Sequence, residues 1–360
     1  MSPLLAAYLS TPAIALNGTV DPGAAGDLMA LTVEETTAGL SWCEATFSNW
    51  GARDAVPGYR YLGGDPIDLG TPLRVSFSTD GTDSPVFDGK VSALQADYPA
   101  DRPVRALVFA EDRLQDLRLT RRTRTFDEAT TADIAGRLAR DHGLTADVDL
   151  DGPVRKVTAQ LNQSDLAFLR GLARSDDGEV QLDGGTLRIR RRPDRTGDTL
   201  SLDYGGDLLS FSVRADLAHQ VTEIAVTGWS VADKAAVLET ADDGVLAAEL
   251  APGQRGGSSV LAAAFAERSE RIVRSVPLDG DDARAQARAA YLERARRFVS
   301  GTGLTAGNPA LRVGIRVRLT GLGTVFDGDY YVCRVRHSYD LAQGYRTEFD
   351  VERPGLESAR

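Results

Sequence analysis

The sequence holds few of the residues that form covalent cross-links or catalytic centres. Its 360 residues include two cysteines, two methionines, three tryptophans and three histidines. Two cysteines, Cys43 and Cys333, exclude a disulfide-rich scaffold, and we expect both to be buried thiols on strands. Lysine occurs only at positions 90, 156 and 234, so arginine supplies nearly all of the positive charge.

Long apolar runs are also missing. No run approaches the roughly 20 residues that a membrane-spanning helix needs. The N-terminal segment MSPLLAAYLSTPAIAL has no basic start and only short apolar pieces, which is atypical of a secretory signal. We therefore expect no membrane insertion, and we expect synthesis and folding in the cytosol.

A net positive charge is absent as well. The formal charge of −11 argues against a protein that binds nucleic acid stably through clustered cations. A conduit with acidic or neutral walls would still let a polyanion slide through it. Contents of 42% hydrophobic and 26% charged residues are typical of a soluble globular protein, and the length predicts two to four packed units.

What is present is a repeat: the tetrapeptide Val-Phe-Asp-Gly occurs at residues 86–89 and at residues 325–328. Near the second copy, apolar residues take every other position in 311–319, and Tyr345, Thr347, Phe349 and Val351 alternate with charged residues, which predicts two half-buried strands. Arginines fill the gaps in the first strand and mainly acids fill the second, so neighbouring strands would form Arg–carboxylate pairs. The Asp327-Gly328 turn opens a third strand, whose predicted inner face is Tyr331, Cys333, Val335, His337 and Tyr339.

The first copy has similar surroundings. Leu73, Val75 and Phe77 alternate, Asp88-Gly89 is predicted to form a turn, and the segment 104–110 closes the unit. The matching strands predict an internal duplication of an antiparallel unit that curls toward a barrel.

Helical patterns lie between the two copies. Ile134 and Leu138 mark an amphipathic helix that Gly143 ends, and Ser164 or Asp165 caps a second helix. The segment DGDDARAQARAAYLERARRFVSG predicts a longer helix capped by Asp281 or Asp282. The Gly- and Ser-rich segment 242–260 is typical of a loop.

Enzyme and metal motifs do not occur in the sequence. There is no His-Glu-x-x-His, Cys-x-x-Cys or Gly-x-Ser-x-Gly, and His142, His219 and His337 are expected to be structural or uninformative. Asp279–Asp282 suits a helix cap better than a calcium loop. We therefore expect no catalytic, cofactor-binding or metal-ligating residues and no cofactor. The arginine runs at 121–124 and 188–192 are the best candidates for a contact surface, although a solvated or intersubunit salt-bridged face is the favoured explanation.

In their order, these segments resemble the late control D family of contractile phage tails, the hub family that also supplies the N-terminal half of type VI secretion VgrG spike proteins. The resemblance rests on LNQSDLAFLRGLARSDDGEVQLDGG, on the helix TFDEATTADIAGRLARDHGL, and on GNPALRVGIRVRLTGLGTVFDGDYYVCRVRHSYDLAQGYRTEFDVER. It covers most of residues 20–353. No segment like an OB domain, a β-helical needle or a lysozyme is found, so the resemblance is to a stand-alone hub.

The resemblance implies an α+β, β-rich fold with two similar tube-like antiparallel β-barrel domains and intervening α+β segments. The expected domains are a first barrel (1–115), an α+β insertion (116–200), a second barrel (201–235 and 305–360) and a helix-containing insertion (236–304).

The implied function is that of a structural central baseplate hub of a contractile tail or contractile injection system. Such a hub forms a homotrimeric ring that adapts a sixfold inner tube to a threefold spike. The implied partners are a separate spike protein below, an inner tube or tube-initiator protein above, and surrounding baseplate proteins. Two alternatives stay open: a tail-associated cell-wall-degrading enzyme, which needs two acids across a cleft, and a β-rich binding module.

Overall fold

The structure is a computed structural model that describes residues 11–53, 56–63, 65–79, 82–195, 199–230, 233–273, 277 and 279–357. Its helices are α1 (Pro22–Asp27), α2 (Thr131–Asp141), α3 (Asp165–Ser175), α4 (Gly257–Phe265) and α5 (Gly280–Ala295). Short 3-10 helices span Arg113–Leu117, Arg192–Asp194 and Asp243–Glu249.

Strands make up most of the ordered structure. Those of the first part are β1 (Ala13–Leu16), β2 (Thr19–Val20), β3 (Leu28–Thr36), β4 (Trp42–Ser48), β5 (Trp50–Arg53), β6 (Val56–Tyr59), β7 (Pro72–Thr79), β8 (Thr82–Asp97) and β9 (Arg105–Glu111). The middle part contributes β10 (Arg121–Ala129), β11 (Thr145–Asp149), β12 (Arg155–Ser164), β13 (Gly178–Asp183) and β14 (Thr186–Arg191). The last part contributes β15 (Thr199–Asp203), β16 (Leu208–Ala215), β17 (Glu223–Ser230), β18 (Ala235–Asp242), β19 (Gln254–Gly256), β20 (Ser269–Ile272), β21 (Val299–Ala306), β22 (Arg316–Thr320), β23 (Gly328–Asp340), β24 (Gly344–Arg353) and β25 (Gly355–Glu357).

One sheet of 13 strands runs through the molecule. Its main path is β16-β21-β24-β23-β3-β4-β9-β8-β7-β1-β2, and β22 and β15 branch from β23. The predicted β-rich α+β fold is therefore confirmed. The remaining strands form small sheets of two or three strands.

The large sheet contains the same six-strand arrangement twice. In unit one (residues 13–111) the order is β3-β4-β9-β8-β7-β1, and in unit two (residues 199–353) it is β16-β21-β24-β23-β22-β15. The pairing registers agree row by row. Two matching rows are Val33–Cys43–Ala110 with Val213–Gly301–Val351, and Leu31–Ala45–Val108 with Phe211–Gly303–Phe349. The closing strands differ, since β1 is antiparallel to β7 whereas β15 is parallel to β22.

Register shifts fall at matching places in the two units. Between β8 and β9 the shift lies at Ser92, and between β23 and β24 it lies at Cys333. A bulge of this kind inserts one residue and turns the following side chains to the other face. The predicted inner face of β23 is therefore only half right: Val335 and His337 point into the core, whereas Cys333 does not.

The tetrapeptide that marks the repeat in the sequence does not occupy equivalent positions. Asp88 and Gly89 lie within β8, opposite Arg74 and Leu73, so the predicted turn there is wrong. The pairing of β7 with β8 runs on to Thr79 opposite Thr82. In the second copy a turn spans residues 324–326, Asp327 follows it and donates its N–H to the Gly323 carbonyl, and Gly328, with φ of 134°, starts β23. Aligning the bulges shifts the tetrapeptides by two residues, so the duplication rests on strand order and register rather than on these four letters.

Another correction concerns the arginine-faced strand. Leu311 and Val313 are buried as expected, but the strand β22 begins only at Arg316. Gly314 interrupts it with φ of 89°, a conformation that glycine adopts without steric cost, and its Cα faces the Arg195 guanidinium. Moreover β22 and β24 are not neighbours, because β23 lies between them.

Four hydrophobic cores correspond to four parts of the chain. They cover residues 14–110 together with Tyr345, residues 114–189, residues 202–208 with 298–351, and residues 224–295. Strand β17, which was predicted to belong to the second barrel, packs in the fourth core, and β21 belongs to the large sheet. The domain boundaries at 235 and 304 stay predictions. The cores group β17 with the helix-containing insertion and β21 with unit two.

The helices follow their capping signals. Thr130 and Asp133 form a capping box at α2, Ser164 caps α3, and Gly143 follows α2 with φ of 64°. At α5 the predicted cap is wrong by two or three positions, because Asp279 accepts the N–H of Asp282. The predicted loop 242–260 holds a 3-10 helix, β19 and the start of α4.

The glycine in the middle of β21 generates a prediction. A Cβ on Gly303 would overlap the ring of Phe349, whereas the matching pair in unit one, Ala45 and Val108, leaves room for it. We expect Gly303→Ala to destabilise the protein by about 1–3 kcal/mol through overpacking. Adding Phe349→Val should recover part of that loss. The shift in the urea midpoint measures both, and an unchanged midpoint for Gly303→Ala would contradict the overpacking.

Candidate functional site

Several strand edges of the large sheet have no partner among the described residues: those of β2 and β15, and two more that lie at the ends of the run from β16 to β8. Strand β7 pairs with β8 only as far as Lys90, and within the described chain nothing pairs with that edge of β8 from Ser92 to Asp97. At the far end of the sheet, β16 pairs with β21 alone in the described residues, apart from one bridge between Tyr204 and Leu208. Exposed strand edges are ready to accept another strand. The sequence analysis did not single out β16, although Phe211, Val213 and Ala215 alternate in it.

An aromatic cluster lies at the end of the β8 edge. Trp50 and Tyr59 pack edge to face at 5.4 Å, and Tyr59 and Tyr98 do the same at 5.9 Å. All three rings are more than half exposed, at 53%, 56% and 61%. Exposed aromatic rings in contact with one another are typical of a surface that a partner covers.

The counterparts of these two edges are joined inside the chain. The second half of β23 pairs with β24 on one side and with β3 on the other, from Arg334 opposite Thr36 to Asp340 opposite Ala30. Strand β3 corresponds to β16, and β23 corresponds to β8. The contact between unit two and unit one within the chain thus uses the same two edges that remain open at its ends.

We call the pairing of β3 with β23 the internal joint between the two units. An ion-pair ladder covers the solvent face of this joint. Arg334 binds Asp350 at 2.6 Å and Glu348 at 2.7 Å, and Arg336 binds Glu34 at 2.7 Å. The predicted pairing of the arginines of β22 with the acids of β24 is therefore wrong, because β23 lies between these strands and its own Arg334 takes the carboxylates of β24. Such half-exposed pairs add little each and specify register instead.

His337 lies on the inner side of the same joint. It is fully buried, and the Tyr345 hydroxyl lies 2.8 Å from its Nδ1. Tyr345 in turn stacks on Phe77 of unit one at 3.5 Å. Burial lowers the pKa of His337 to about 3, and the nearby Arg312 charge acts in the same direction. The ring is thus neutral, and its Nε2 has no hydrogen-bond partner among the described residues.

The arginine run at 121–124 is largely engaged within the chain. Arg124 binds Asp165 at 2.7 Å and Asp141 at 3.0 Å, and Arg122 lies 3.4 Å from Asp165. His142 joins the same carboxylate at 2.8 Å, so this histidine has a structural role. His219 is exposed.

The second run, at 188–192, divides into two parts. Arg190 is a third exposed and pairs with Asp147 at 2.9 Å on the neighbouring strand. Arg192 is mostly buried: it binds Glu352 of unit two at 2.8 Å and stacks over the Tyr331 ring at 4.2 Å. Of these two arginines, Arg190 can contact a partner without weakening the fold, whereas Arg192 cannot.

Further buried arginines tie the two insertions to each other. Arg155 binds Asp176 at 2.7 Å and reaches Asp282 of α5 at 2.9 Å. Arg296 binds Glu249 at 2.9 Å and Asp177 of the first insertion at 2.8 Å. The Arg155–Asp282 and Arg296–Asp177 pairs join segments more than 100 residues apart and hold the cores of the two insertions together.

A polar cleft of about 530 Å³ lies between unit one, the first insertion and unit two. Asp112 lines it, and burial raises its pKa to about 6 although the N–H groups of Ser41 and Leu114 act in the opposite direction. Both oxygens of Asp112 accept those N–H groups, so the carboxylate caps a 3-10 helix. This geometry suits a structural acid rather than a general acid facing a substrate.

Metal and thiol chemistry has little support in the described part of the chain. No group of three or more His, Cys, Asp or Glu side chains there is placed to hold a metal ion. Cys43 is buried and Cys333 half-buried, and burial raises the pKa of Cys333 to about 12. The expected absence of site residues stays a prediction.

A family model described as the Alg8 N-terminal domain matches residues 69–340, more than half of the chain. The chain belongs to this family. No curated protein matches the sequence. None of the described helices has the length and apolar character needed to cross a membrane.

Solved structures of the same fold come from tail proteins. The 43 kDa tail protein of prophage MuSo2 from Shewanella oneidensis has a TM-score of 0.69 at 16% identity, covering 96% of this chain and 98% of that one. A tail protein from Neisseria meningitidis has a TM-score of 0.68 at 12% identity, with 95% and 96% covered. A type VI secretion component from E. coli, described as similar to T4 bacteriophage tail proteins, has a TM-score of 0.57 at 13% identity, with 96% and 79% covered. At these identities the likeness shows the fold.

The buried histidine predicts acid sensitivity. Because the folded pKa of about 3 lies below the ordinary 6.5, the unfolded chain alone takes up a proton between these values. The stability contributed by His337 is complete above pH 6.5 and is lost as the pH falls toward 3, by about 1.4 kcal/mol per unit. We expect His337→Gln to flatten the fall in urea midpoint between pH 7 and pH 5. His219→Gln, an exposed control, should leave it unchanged; an equally steep fall in His337→Gln would contradict the assignment.

The divided arginine run predicts unequal effects of the same substitution. Arg192→Ser should cost about 3 kcal/mol because it breaks a mostly buried ion pair and leaves Glu352 only the longer contact to Arg297, at 3.5 Å. Arg190→Ser should cost less than about 1 kcal/mol because its pairs are solvent-exposed. Denaturant unfolding of the two single variants checks this, and equal losses would show that the run acts as one structural group.

Proposed function

We propose that the protein is a non-enzymatic, structural central hub in the baseplate of a contractile tail or contractile injection system. The observation that carries this proposal is the duplicated six-strand unit with matching registers, joined head to tail within one chain. The shared fold of phage tail proteins and a type VI secretion component supports it.

The head-to-tail joint supports a ring. The contact between β3 and β23 is heterologous, because it uses different surfaces of the two units, and contacts of this kind continue until a ring or filament forms. Three chains would supply six similar units. Such a homotrimer presents an approximate sixfold face to an inner tube and a true threefold face to a spike.

The channel wall follows from the two faces of the sheet. Eight strands, β16-β21-β24-β23-β3-β4-β9-β8, form an arc of four strands from each unit. One face of the arc carries the cores of both units, and the other carries polar side chains such as Glu44, Thr302 and Arg334. The bulkier side of a closed arc lies outside, where the circumference is larger, so the polar face lines the channel.

The dimensions and charges of this wall suit a conduit. Twenty-four strands about 4.8 Å apart would close into a ring roughly 37 Å across between backbones, before strand tilt widens it. Arg334 and Arg336 already face carboxylates, and Arg105 lies opposite Asp97. With its arginines neutralised, the wall offers a passing polyanion no strong cationic site.

The proposed partners follow from this geometry. The two ends of the channel would contact a spike and an inner tube or tube-initiator protein. The first insertion, with its half-exposed Arg188 and Arg190, lies outside the arc and suits contacts with surrounding baseplate proteins. The particle is assembled after synthesis in the bacterial cytoplasm.

The decisive measurement is the oligomeric state. We expect native mass spectrometry to give three times the mass of the chain, and electron microscopy averages to show a six-lobed ring with an open centre. The particle's own spike protein, added in excess, should shift any monomer into the ring. A protein that stays monomeric at high concentration with the spike present would overturn the proposal.

A further inference from the structure

We propose that the open edge of β16 in one chain pairs, antiparallel, with the open edge of β8 in the next chain, with Phe211 opposite Tyr98. The proposal rests on the proposed function, since it names the surface that closes the ring. It commits to a second copy of this chain as the occupant of both edges. The register is fixed by the chain's own internal joint.

The register comes from the correspondence between the units. Residues of β3 map to β16 by adding 180, because the register shift after Leu28 recurs after Leu208. Residues of β23 map to β8 by subtracting 241, because the shift at Cys333 recurs at Ser92. Transferring the seven pairs between β3 and β23 then gives the pairs across the two chains. They are Ala93–Asp216, Leu94–Ala215, Gln95–Arg214, Ala96–Val213, Asp97–Ser212, Tyr98–Phe211 and Pro99–Ser210.

The core side of the transferred joint is apolar. Within the chain, Tyr339 lies opposite Leu31 and packs against the core of unit one. Its counterpart Tyr98 is 61% exposed in the single chain, although it belongs to an aromatic cluster. Pairing with β16 would lay Tyr98 on Phe211 and bury it together with the adjoining Tyr59. The same strand pairing would therefore also cover the exposed aromatic cluster.

The solvent side of the joint is complementary in charge. Within the chain, Arg336 of β23 pairs with Glu34 of β3. Across the two chains the acid would be on β8 and the arginine on β16. Asp97 of β8 would lie diagonal to Arg214 of β16, within reach of a long side chain. The Arg214 side chain is 76% exposed, and its ion pair with Asp216 is long, at 3.5 Å. Its guanidinium can therefore rotate toward a partner.

Engineered disulfides test the register. Directly opposed residues have Cα atoms about 4.5–5.5 Å apart, which is within disulfide range. The background is Cys333→Ser, because serine stands at the matching position of unit one, Ser92. In it, Asp97→Cys with Ser212→Cys should cross-link on mild oxidation into dimers and trimers, with the ladder ending at three. The control, Ala93→Cys with Ser212→Cys, keeps the same face but separates the thiols by about 13 Å and should stay uncross-linked.

The outcomes separate this inference from the proposed function, because the native mass is measured before oxidation. A native trimer in which Asp97→Cys with Ser212→Cys does not cross-link, or in which the control cross-links as fast, overturns the pairing and leaves the hub intact. A chain that is monomeric before oxidation overturns both. Single-cysteine variants must give no ladder.

A charge exchange tests the same joint without thiols. Arg214→Glu would oppose Asp97 with a like charge at three joints per ring, and we expect the midpoint concentration of trimer formation to rise about tenfold. Adding Asp97→Arg should restore it. A midpoint that Arg214→Glu leaves unchanged, or a loss that the second substitution does not recover, counts against the pairing.

Discussion

The pairing of β3 with β23 is the interaction on which the rest of the structure depends. Seven consecutive residue pairs convert two separate units into one sheet, and no linker could fix their relation as closely. Because a strand register allows no intermediate positions, the ladder of Arg334 and Arg336 on one side and buried His337 on the other specify a single alignment. The cores of the two units are thereby fixed relative to each other.

The two units share a backbone plan but fill it differently. Where unit one places Ala45 beside Val108, unit two places Gly303 beside Phe349, so volume is conserved across the pair while the residues change. Strand order and bulges survive such exchanges because they are set by backbone hydrogen bonds. Side chains need only fill the space, which explains how unit correspondence persists where the sequences no longer match.

Sequence patterns predicted the parts of this fold that are local. The alternation in β24 is complete because no bulge interrupts it, and α2 and α3 begin and end at their capping residues. The inner face of β23 and the turn at Asp88-Gly89 were predicted incorrectly, because the spacing of apolar residues does not reveal where a bulge or a hairpin turn falls. The open edge of β16 was missed for another reason: what matters there is which strands are absent beside it, and that depends on the whole topology.

The near absence of lysine is consistent with how the cores are held together. Arg155, Arg192 and Arg296 each bind carboxylates from two different segments, which a planar guanidinium can do with several donors at once and a single ammonium does less well. Buried pairs of this kind add little net stability over apolar packing but are costly to break, so they favour one arrangement of the insertions around the arc. Within the described residues, the insertions leave the edge of β16 and the edge of β8 from Ser92 to Asp97 unpaired. A chain built in this way holds a fixed register at its internal joint and leaves the edges of β8 and β16 available for the pairing proposed above.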